Sequence, residues 1–253
     1  MIIDAPRRTD IPMLRALWKQ AFGDGDEFLD AFENTAFSTE HCRCVTVDGA
    51  IVAALYWFDC SCLGERIAYL YAIATSREHR GMGLCTSLMD DTHKHLKELG
   101  YKGSVLVPSS EALFDFYKKR GYEVCSHIKE FSCRPSKESV DVFRIEPDEY
   151  ARLRRELLPR GGVVQENENL SFLQAQASFY KTDDALLAAR IDGHKLICAE
   201  LLGNAEVAPA VLKALGCTEG DFRTVGNQRA FAMYHSIENE SFIVPAYFGL
   251  AFD

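Results

Sequence analysis

The hydrophobic pattern of the chain changes repeatedly between the 3.6-residue period of a helix and the two-residue period of a strand. Over residues 1–131 it predicts a strand, two helices, three strands, a helix, a strand, a helix and a strand. The second and third strands are joined by Asp48 and Gly49, a pair typical of a tight hairpin turn. Such alternation predicts an α/β (α+β) fold with a mixed central sheet flanked by helices.

The second half of the chain partly repeats this order. After a predicted linker at residues 134–139 come a strand, two helices, a hairpin, a helix and further strands. The second of these helices is predicted at residues 171–179, and a last apolar strand at 243–251. The sequence therefore predicts two domains, residues 1–133 and a smaller α/β domain at residues 140–253.

Composition limits the classes of partner. The 253 residues include 37 acidic and 28 basic side chains, a formal charge of −9, which disfavours binding to nucleic acid or to an anionic membrane surface. The sequence contains no apolar run of about 18 residues and no signal-peptide pattern at its start, and its nine cysteines do not resemble a secreted disulfide framework. We therefore expect a cytoplasmic protein without a membrane partner.

Two closely spaced cysteine pairs, Cys42/Cys44 and Cys60/Cys62, could form half of a metal site. However, a one-residue spacing on a strand puts both sulfurs on one face without the turn that zinc knuckles use. We favour structural cysteines and predict no metal site.

A glycine-rich turn lies between the fourth predicted strand and a long helix. Its glycines allow a sharp turn and a close approach of the backbone to a ligand, and the helix that follows presents unpaired N–H groups. Such a turn can hold an anion such as a pyrophosphate. The turn consists of Arg80, Gly81, Met82, Gly83, Leu84 and Cys85.

Two motifs in this order resemble those of the GNAT superfamily of N-acetyltransferases. The family's R/Q-x-x-G-x-G/A motif is matched by Arg80 and Gly83, with Cys85 at the last position, and its Tyr-x-x-x-Gly-Phe/Tyr motif by Tyr117, Gly121 and Tyr122. The resemblance covers residues 1 to about 130. Cys85 departs from the family's Gly or Ala, and Ser110 stands where the family often has Asn.

The resemblance implies a GNAT-like fold and an enzyme that uses acetyl-CoA as the acyl donor. Backbone N–H groups of residues 80–85 would hold the pyrophosphate, the strand edge from Ile73 to Thr75 would pair with the pantetheine amides, and the hydroxyl of Ser110 would face the cofactor arm. Tyr117 would protonate the leaving thiolate after direct attack by a primary amine. An alternative for Tyr117 is a core aromatic residue beside Phe116.

The general base is not evident, because the fourth strand, residues 67–73, lacks a carboxylate. Glu65, at the start of this strand, is the nearest candidate, although it could be a plain surface residue. A water relay or the carboxylates of Asp253 are the alternatives. Tyr69 and Tyr71 either line the acceptor channel or pack in the core.

The second half lacks both motifs, so the resemblance implies a degenerate GNAT-like domain that could form a wall of the acceptor cleft. Its layout is similar to that of the aminoglycoside acetyltransferases of the "enhanced intracellular survival" group.

The predicted function is N-acetyl transfer to a small-molecule or peptide amine in a ternary complex. The alternative is a non-catalytic module that senses acyl-CoA or binds a protein.

Overall fold

The computed structural model describes residues 1–238 and 244–252. The elements of the first half are β1 (Ile2–Asp4), α1 (Ile11–Phe22), α2 (Asp26–Thr35), β2 (Cys42–Val47), β3 (Ala50–Cys62), β4 (Glu65–Thr75), α3 (Leu84–Glu98), β5 (Gly103–Leu106), α4 (Glu111–Lys118) and β6 (Glu123–Cys133). Those of the second half are β7 (Phe143–Ile145), α5 (Pro147–Leu157), β8 (Val164–Gln165), α6 (Glu168–Gln174), β9 (Ser178–Lys181), β10 (Ala185–Asp192), β11 (Lys195–Gly203), α7 (Ala208–Ala214), β12 (Glu219–Val225) and β13 (Arg229–Ser236).

Local sequence explains the main turns. Asp48 and Gly49 both have positive φ angles, 48° and 82°, and join β2 to β3 as the predicted two-residue hairpin turn. Gly100, with a φ of 84°, follows the end of α3, where Tyr101 N–H donates to the carbonyl of Leu96 over 3.0 Å. The mixed α/β architecture with a large mixed sheet flanked by helices is confirmed.

The strands that the structure describes form one continuous sheet across both halves. Its order is β1-β2-β3-β4-β5-β13-β6-β12-β11-β10-β9-β7, with β8 beside β3. β13, from the end of the second half, lies between β5 and β6, whereas β6, from the end of the first, lies between β13 and β12. The order is therefore approximately symmetric about the β13–β6 pair, and each half places its last strand next to the second-to-last strand of the other.

This exchange bears on the predicted division at residues 133–140. The division falls between β6 and β7, and the order of elements is similar on its two sides. However, β13 pairs antiparallel with both β5 and β6, so neither half forms a separate sheet. The largest hydrophobic cluster also contains residues of both halves, among them Trp18 and Phe58 from the first and Phe172 and Phe231 from the second. The two halves share a core.

Two predicted elements of the second half are wrong in detail. The helix expected at residues 171–179 ends at Gln174, and Ser178–Lys181 forms β9 instead, which pairs with β7 and β10. The strand expected at residues 243–251 is not formed by residues 244–251, where Tyr247 makes one isolated bridge to Gly162. The segment is nevertheless buried. Phe248 and Leu250 are fully buried although they do not pair with a strand. Residue 243 lies outside the described residues.

Candidate functional site

The glycine-rich turn adopts the backbone conformation that its sequence predicts. Gly81 and Gly83 have φ angles of 78° and 77°, in the left-handed region that residues with a Cβ rarely adopt. A Cβ built on either residue has no atom within 4 Å, so the space above the turn is open. Gly83 is the N-cap of α3. Because it has no side chain, the first N–H groups of the helix stay accessible. The shape of the turn and the dipole of α3 are both suited to binding an anion.

Arg80 and Thr75 connect this turn to the end of β4. The Arg80 Nε donates to the carbonyl oxygen of Thr75 over 3.2 Å. The Thr75 Oγ1 is buried without a hydrogen-bond partner among the described residues. Both residues line the same cleft as Gly81 and Gly83. An unsatisfied buried hydroxyl costs free energy, which a ligand with a polar group at this point would recover.

β4 separates from β5 beside this turn. The parallel pairing of the two strands covers Ile67 to Tyr69 of β4. Farther along, a β-bulge in β4 lies opposite Leu55 of β3, and Ala72 in the bulge has a φ of 48°. A non-glycine residue in this region is strained, and such strain is typical of functional sites. The bulge and the separation leave the β4 edge at Ile73 and Thr75 facing the cleft.

The cleft itself has a volume of about 1020 Å³ and is enclosed by elements of both halves. Aromatic side chains supply much of its wall, including Trp18 from α1 and Tyr69 and Tyr71 from β4. The second half contributes Gln176, Arg229, Phe231, Ala251 and Phe252. The Tyr71 hydroxyl donates to the carbonyl of Phe252 over 3.2 Å, and the Phe252 N–H donates to the Tyr69 hydroxyl over 3.4 Å. The last described residues are thereby held against β4.

Tyr117 lies on α4 and is another residue at the wall of this cleft. Its side chain packs in the core, with its ring 5.2 Å from that of Phe116 and 5.8 Å from that of Tyr122, yet it also lines the cleft. The hydroxyl makes no hydrogen bond with the residues that the structure describes. Burial raises the pKa of Tyr117 above its ordinary value, and Cys85 adds to the effect while Arg120 opposes it. The phenol therefore stays protonated at neutral pH.

Most of the predicted site residues come together in the cleft. The cleft-lining residues among them are Ile73, Thr75, Arg80, Gly81, Gly83, Leu84, Cys85 and Tyr117. Burial raises the pKa of the Cys85 thiol to about 11, so this thiol is neutral and its modest bulk is what distinguishes it from glycine.

Three predicted residues are not among those that line the cleft. Met82 projects to solvent with 65% of its surface exposed. Ser110 is the exposed N-cap of α4 and makes no capping hydrogen bond, whereas the neighbouring Ser109 lines the cleft. Glu65 pairs with Cys62 at the start of β4, eight residues before Ile73, or roughly 25 Å along the strand. The structure therefore does not bring Glu65 to the place where Tyr117 lies. Asp253 lies outside the described residues.

Arg120 is a cleft residue that the sequence did not indicate. Its guanidinium lies 3.3 Å from the centroid of the Phe116 ring and donates to the Thr86 Oγ1 over 2.6 Å and to the Phe116 carbonyl. It thus connects α4 to the first turn of α3. It lies in the turn that follows α4, and its spacing of four residues from Phe116 was the available signal. Among the described residues that line the cleft, Arg80, Arg120 and Arg229 supply three guanidinium groups and Asp24 one carboxylate.

In residues 1–238 and 244–252, the cysteines and the helices carry no sign of a metal site or of a membrane span. All nine cysteines are free thiols, and Cys42, Cys44, Cys60 and Cys62 are buried on β2 and β3. Over residues 1–238 and 244–252, no group of three or more His, Cys, Asp or Glu side chains could hold a metal ion. Within the same residues no helix is long and apolar enough to cross a membrane.

Comparisons with known proteins agree with this architecture. Residues 3–125 match the family model of the acetyltransferase (GNAT) domain. No curated protein matched the sequence. A solved GCN5-related N-acetyltransferase from Kribbella flavida is similar over 92% of this chain and 70% of its own, with 17% identity and a TM-score of 0.71. A second, from Sphaerobacter thermophilus, is similar over 94% of this chain and 96% of its own, with 14% identity and a TM-score of 0.55.

Eis1 from Mycobacterium abscessus is also similar, over 94% of this chain and 74% of its own, with 12% identity and a TM-score of 0.68. At such identities a structural likeness shows the fold. Because these matches extend over more than nine-tenths of the chain, the fold of both halves is consistent with a GNAT-like repeat.

Proposed function

We propose that this chain, whose residues 3–125 match the family model of the acetyltransferase (GNAT) domain, transfers an acetyl group from acetyl-CoA to a primary amine. The observation that carries the proposal is that the anion turn, the exposed edge of β4 and Tyr117 all line one cleft. Each of the three matches a different part of an acyl-CoA molecule or of its reaction.

The donor fits the residues of the cleft. The backbone N–H groups at the start of α3 bind the pyrophosphate, because the turn at Gly81 and Gly83 leaves open space there. Arg80 and Arg120 add positive charge beside this turn. The edge of β4 at Ile73 and the unpartnered hydroxyl of Thr75 supply hydrogen-bonding groups for the amides of the pantetheine arm.

The reaction is a direct transfer within a ternary complex. The amine nitrogen attacks the thioester carbonyl carbon, the C–N bond forms, and the C–S bond breaks. Tyr117 donates its proton to the departing thiolate. The proton lost from the amine passes to water in the cleft, and water returns a proton to the Tyr117 phenolate. Holding both reactants together lowers the barrier by up to about 7–11 kcal/mol, and acid catalysis contributes on the order of a hundred- to ten-thousandfold.

A second candidate is an acyl-CoA sensor that binds the cofactor without turnover. It is favoured by one observation: the part of β4 that lines the cleft, residues 69–75, carries no carboxylate that could act as a base. Tyr117 argues for the enzyme, since a sensor does not need a buried proton donor beside the anion turn. Whether acetyl-CoA is consumed separates the two.

The test measures release of free coenzyme A from acetyl-CoA in the presence of single amines, with calorimetric binding of acetyl-CoA in parallel. We expect amine-dependent release by the wild-type protein, and unchanged acetyl-CoA binding with at least tenfold slower release by Tyr117→Phe. A wild-type protein that binds acetyl-CoA but releases no coenzyme A with any amine is a sensor. A protein that does not bind acetyl-CoA refutes both candidates.

A further inference from the structure

The cleft extends along β4 past the part that the proposed function assigns to the donor. The strand edge from Ile73 to Thr75 and the anion turn follow Ala72 in the chain, whereas Tyr69 and Tyr71 precede it and line the same cleft. The thioester is at the far end of the pantetheine arm, so the arm directs it away from the anion turn and toward these tyrosines. The acceptor amine therefore meets the thioester at the part of the cleft that Tyr69 and Tyr71 line, which we call the acceptor end.

Aromatic rings surround the acceptor end. The Trp18 ring lies 5.7 Å from that of Tyr71 and 6.2 Å from that of Phe28, measured between centroids. The Phe252 ring lies 5.6 Å from that of Tyr71 and 5.5 Å from that of Tyr69. All five side chains line the cleft. Because apolar surface that leaves water contributes favourable free energy, this end is suited to an amine that carries an apolar group.

A second cavity, of about 400 Å³, adjoins the cleft at Phe252. Gln176, Ala251 and Phe252 line both spaces, so these three residues lie between them. Ala251 contributes only a methyl group, whereas Phe252 contributes an aromatic ring and exposes 8% of its surface. The Phe252 ring is therefore the largest side chain that separates the second cavity from the acceptor end.

The position of Phe252 is fixed by its neighbours. Its ring lies 4.8 Å from that of Phe58 and 5.3 Å from that of Phe172. Its N–H and carbonyl groups are hydrogen-bonded to hydroxyls of β4, and two residues earlier the Leu250 carbonyl accepts from the Gln165 Nε2 over 2.7 Å. A ring that is packed and tethered in this way does not swing aside when an acceptor arrives.

The second cavity is large enough to hold part of an acceptor. Its volume falls in the range of ligand pockets, and apolar side chains contribute to its lining, among them Leu173, Ala177 and Ala199. A chain that passed Phe252 would enter a space that already exists, instead of displacing packed residues. The ring of Phe252 is thus the obstacle, and not the space behind it.

We propose that Phe252 sets the length of the acceptor, which is a primary amine with an apolar group that ends against this ring, and that the second cavity is an extension of the acceptor site that the ring keeps closed. This inference rests on the proposed function and specifies its substrate class. The limit is steric, so it does not depend on the balance of charges around the cleft.

The test measures coenzyme A release from acetyl-CoA with a series of n-alkylamines, from ethylamine to decylamine. These amines differ little in basicity, so the series isolates chain length. We expect kcat/KM of the wild-type protein to rise about fourfold for each methylene that becomes buried, and to stop rising at the length at which the chain meets Phe252.

Phe252→Ala should move this limit to longer amines. An increase of two buried methylenes raises kcat/KM for the longest amines roughly tenfold or more above the wild-type value, while acetyl-CoA affinity stays unchanged. Phe252→Leu should shift the limit in the same direction by less. It removes less buried surface, so it keeps the inference testable if Phe252→Ala does not fold.

Two further positions provide controls. Phe248 is fully buried in the same segment and lines neither space, so Phe248→Leu should leave the limit at the wild-type length. Ala199 is half-buried and lines only the second cavity. Ala199→Leu should therefore change nothing by itself, but combined with Phe252→Ala it should shorten the limit again, because it fills the space that the first substitution opens.

Several results would overturn the inference while the proposed function stands. One is a wild-type kcat/KM that does not rise with chain length, or that rises through decylamine without a limit. Another is a limit that stays in place in both Phe252 variants, or that moves equally in Phe248→Leu, which would indicate a loosened segment. Failure of Ala199→Leu to shorten the limit would mean that the chain does not enter the second cavity. No release with any amine refutes the proposed function itself, and the inference with it.

Discussion

Gly83 and Gly100 lie at opposite ends of α3 and provide a matched pair of substitutions. Both have a φ in the left-handed region, 77° and 84°, and a Cβ built on either has no atom within 4 Å. Replacement by alanine therefore costs each site the same kind of backbone strain, about 1–2 kcal/mol, without a steric clash. For a chain of this length that corresponds to a decrease in Tm of roughly 2–8 °C.

The two substitutions should differ only toward the cofactor. At a concentration of 100 Kd, acetyl-CoA stabilises the folded protein by about 2.7 kcal/mol, which raises Tm by roughly 5–11 °C. The methyl group of Gly83→Ala occupies the space that the pyrophosphate needs, so most of this increase should be lost. Gly100→Ala lies beyond the other end of the helix and should keep the full increase.

Thermal unfolding with and without acetyl-CoA measures both effects in one experiment. The double variant Gly81→Ala/Gly83→Ala should show no increase in Tm at all. If it keeps the wild-type increase, the pyrophosphate does not bind at this turn. If Gly100→Ala loses the increase as well, backbone strain accounts for the loss and the reasoning from the open space is refuted.

The other predictions concern Tyr117 and the buried core of the second half. Tyr117→Phe should lower kcat at least tenfold, about 1.4 kcal/mol, with unchanged acetyl-CoA affinity, and an unchanged kcat in a chemistry-limited assay would leave Tyr117 as a packing residue. Because burial raises the pKa of this phenol above 10.0, its acid form persists at high pH. Below about pH 10, the kcat of the wild-type protein should therefore show no decline with rising pH that Tyr117→Phe lacks, since Tyr117 keeps its proton there. Glu200→Gln removes the partner of the buried Arg154, which donates to it over 2.6 and 2.9 Å, and should cost about 3–5 kcal/mol in denaturant unfolding. Glu156→Gln, in the exposed pair with Arg152, is its control and should cost less than about 1 kcal/mol, so that equal costs would contradict the role of burial.

The anion turn and the order of elements were predictable because local chemistry determines them. A turn that requires positive φ selects glycine, as at Gly81 and Gly83, and a hairpin of two residues selects a pair such as Asp48 and Gly49. In each case the residues that form the structure are adjacent in sequence.

Features set by contacts between distant segments were not predictable in this way. The placement of β13 between β5 and β6 depends on pairing across more than 100 residues, such as Met233 with Leu106. His93 is an example among side chains, since its place in the sequence of α3 does not reveal its contacts with distant residues. The His93 Nε2 lies 2.9 Å from the Tyr122 hydroxyl, and its ring is stacked 4.3 Å from that of His235. Burial lowers the pKa of His93 to about 3.

Arg223 and Arg229, which both lie over the Phe231 ring, are a second example of contacts between distant segments. Arg223 and Arg229 belong to different strands, and their common partner, Glu130, lies on β6 in the first half. The exchange of strands between the halves brings these residues together, so the second half can contribute to the cleft although it lacks the motifs of the first. A periodic pattern contains no information on such an exchange.

The central claim is that one cleft binds the acyl donor at the anion turn and places its thioester near Tyr117. A crystal structure with coenzyme A bound is the most direct test of this claim. We predict the pyrophosphate within about 2.7–3.2 Å of backbone nitrogens at the start of α3, and the sulfur at the side of the cleft where Tyr117 lies. A coenzyme A molecule whose pyrophosphate lies away from Gly81 and Gly83, or whose sulfur lies away from Tyr117, would contradict the account.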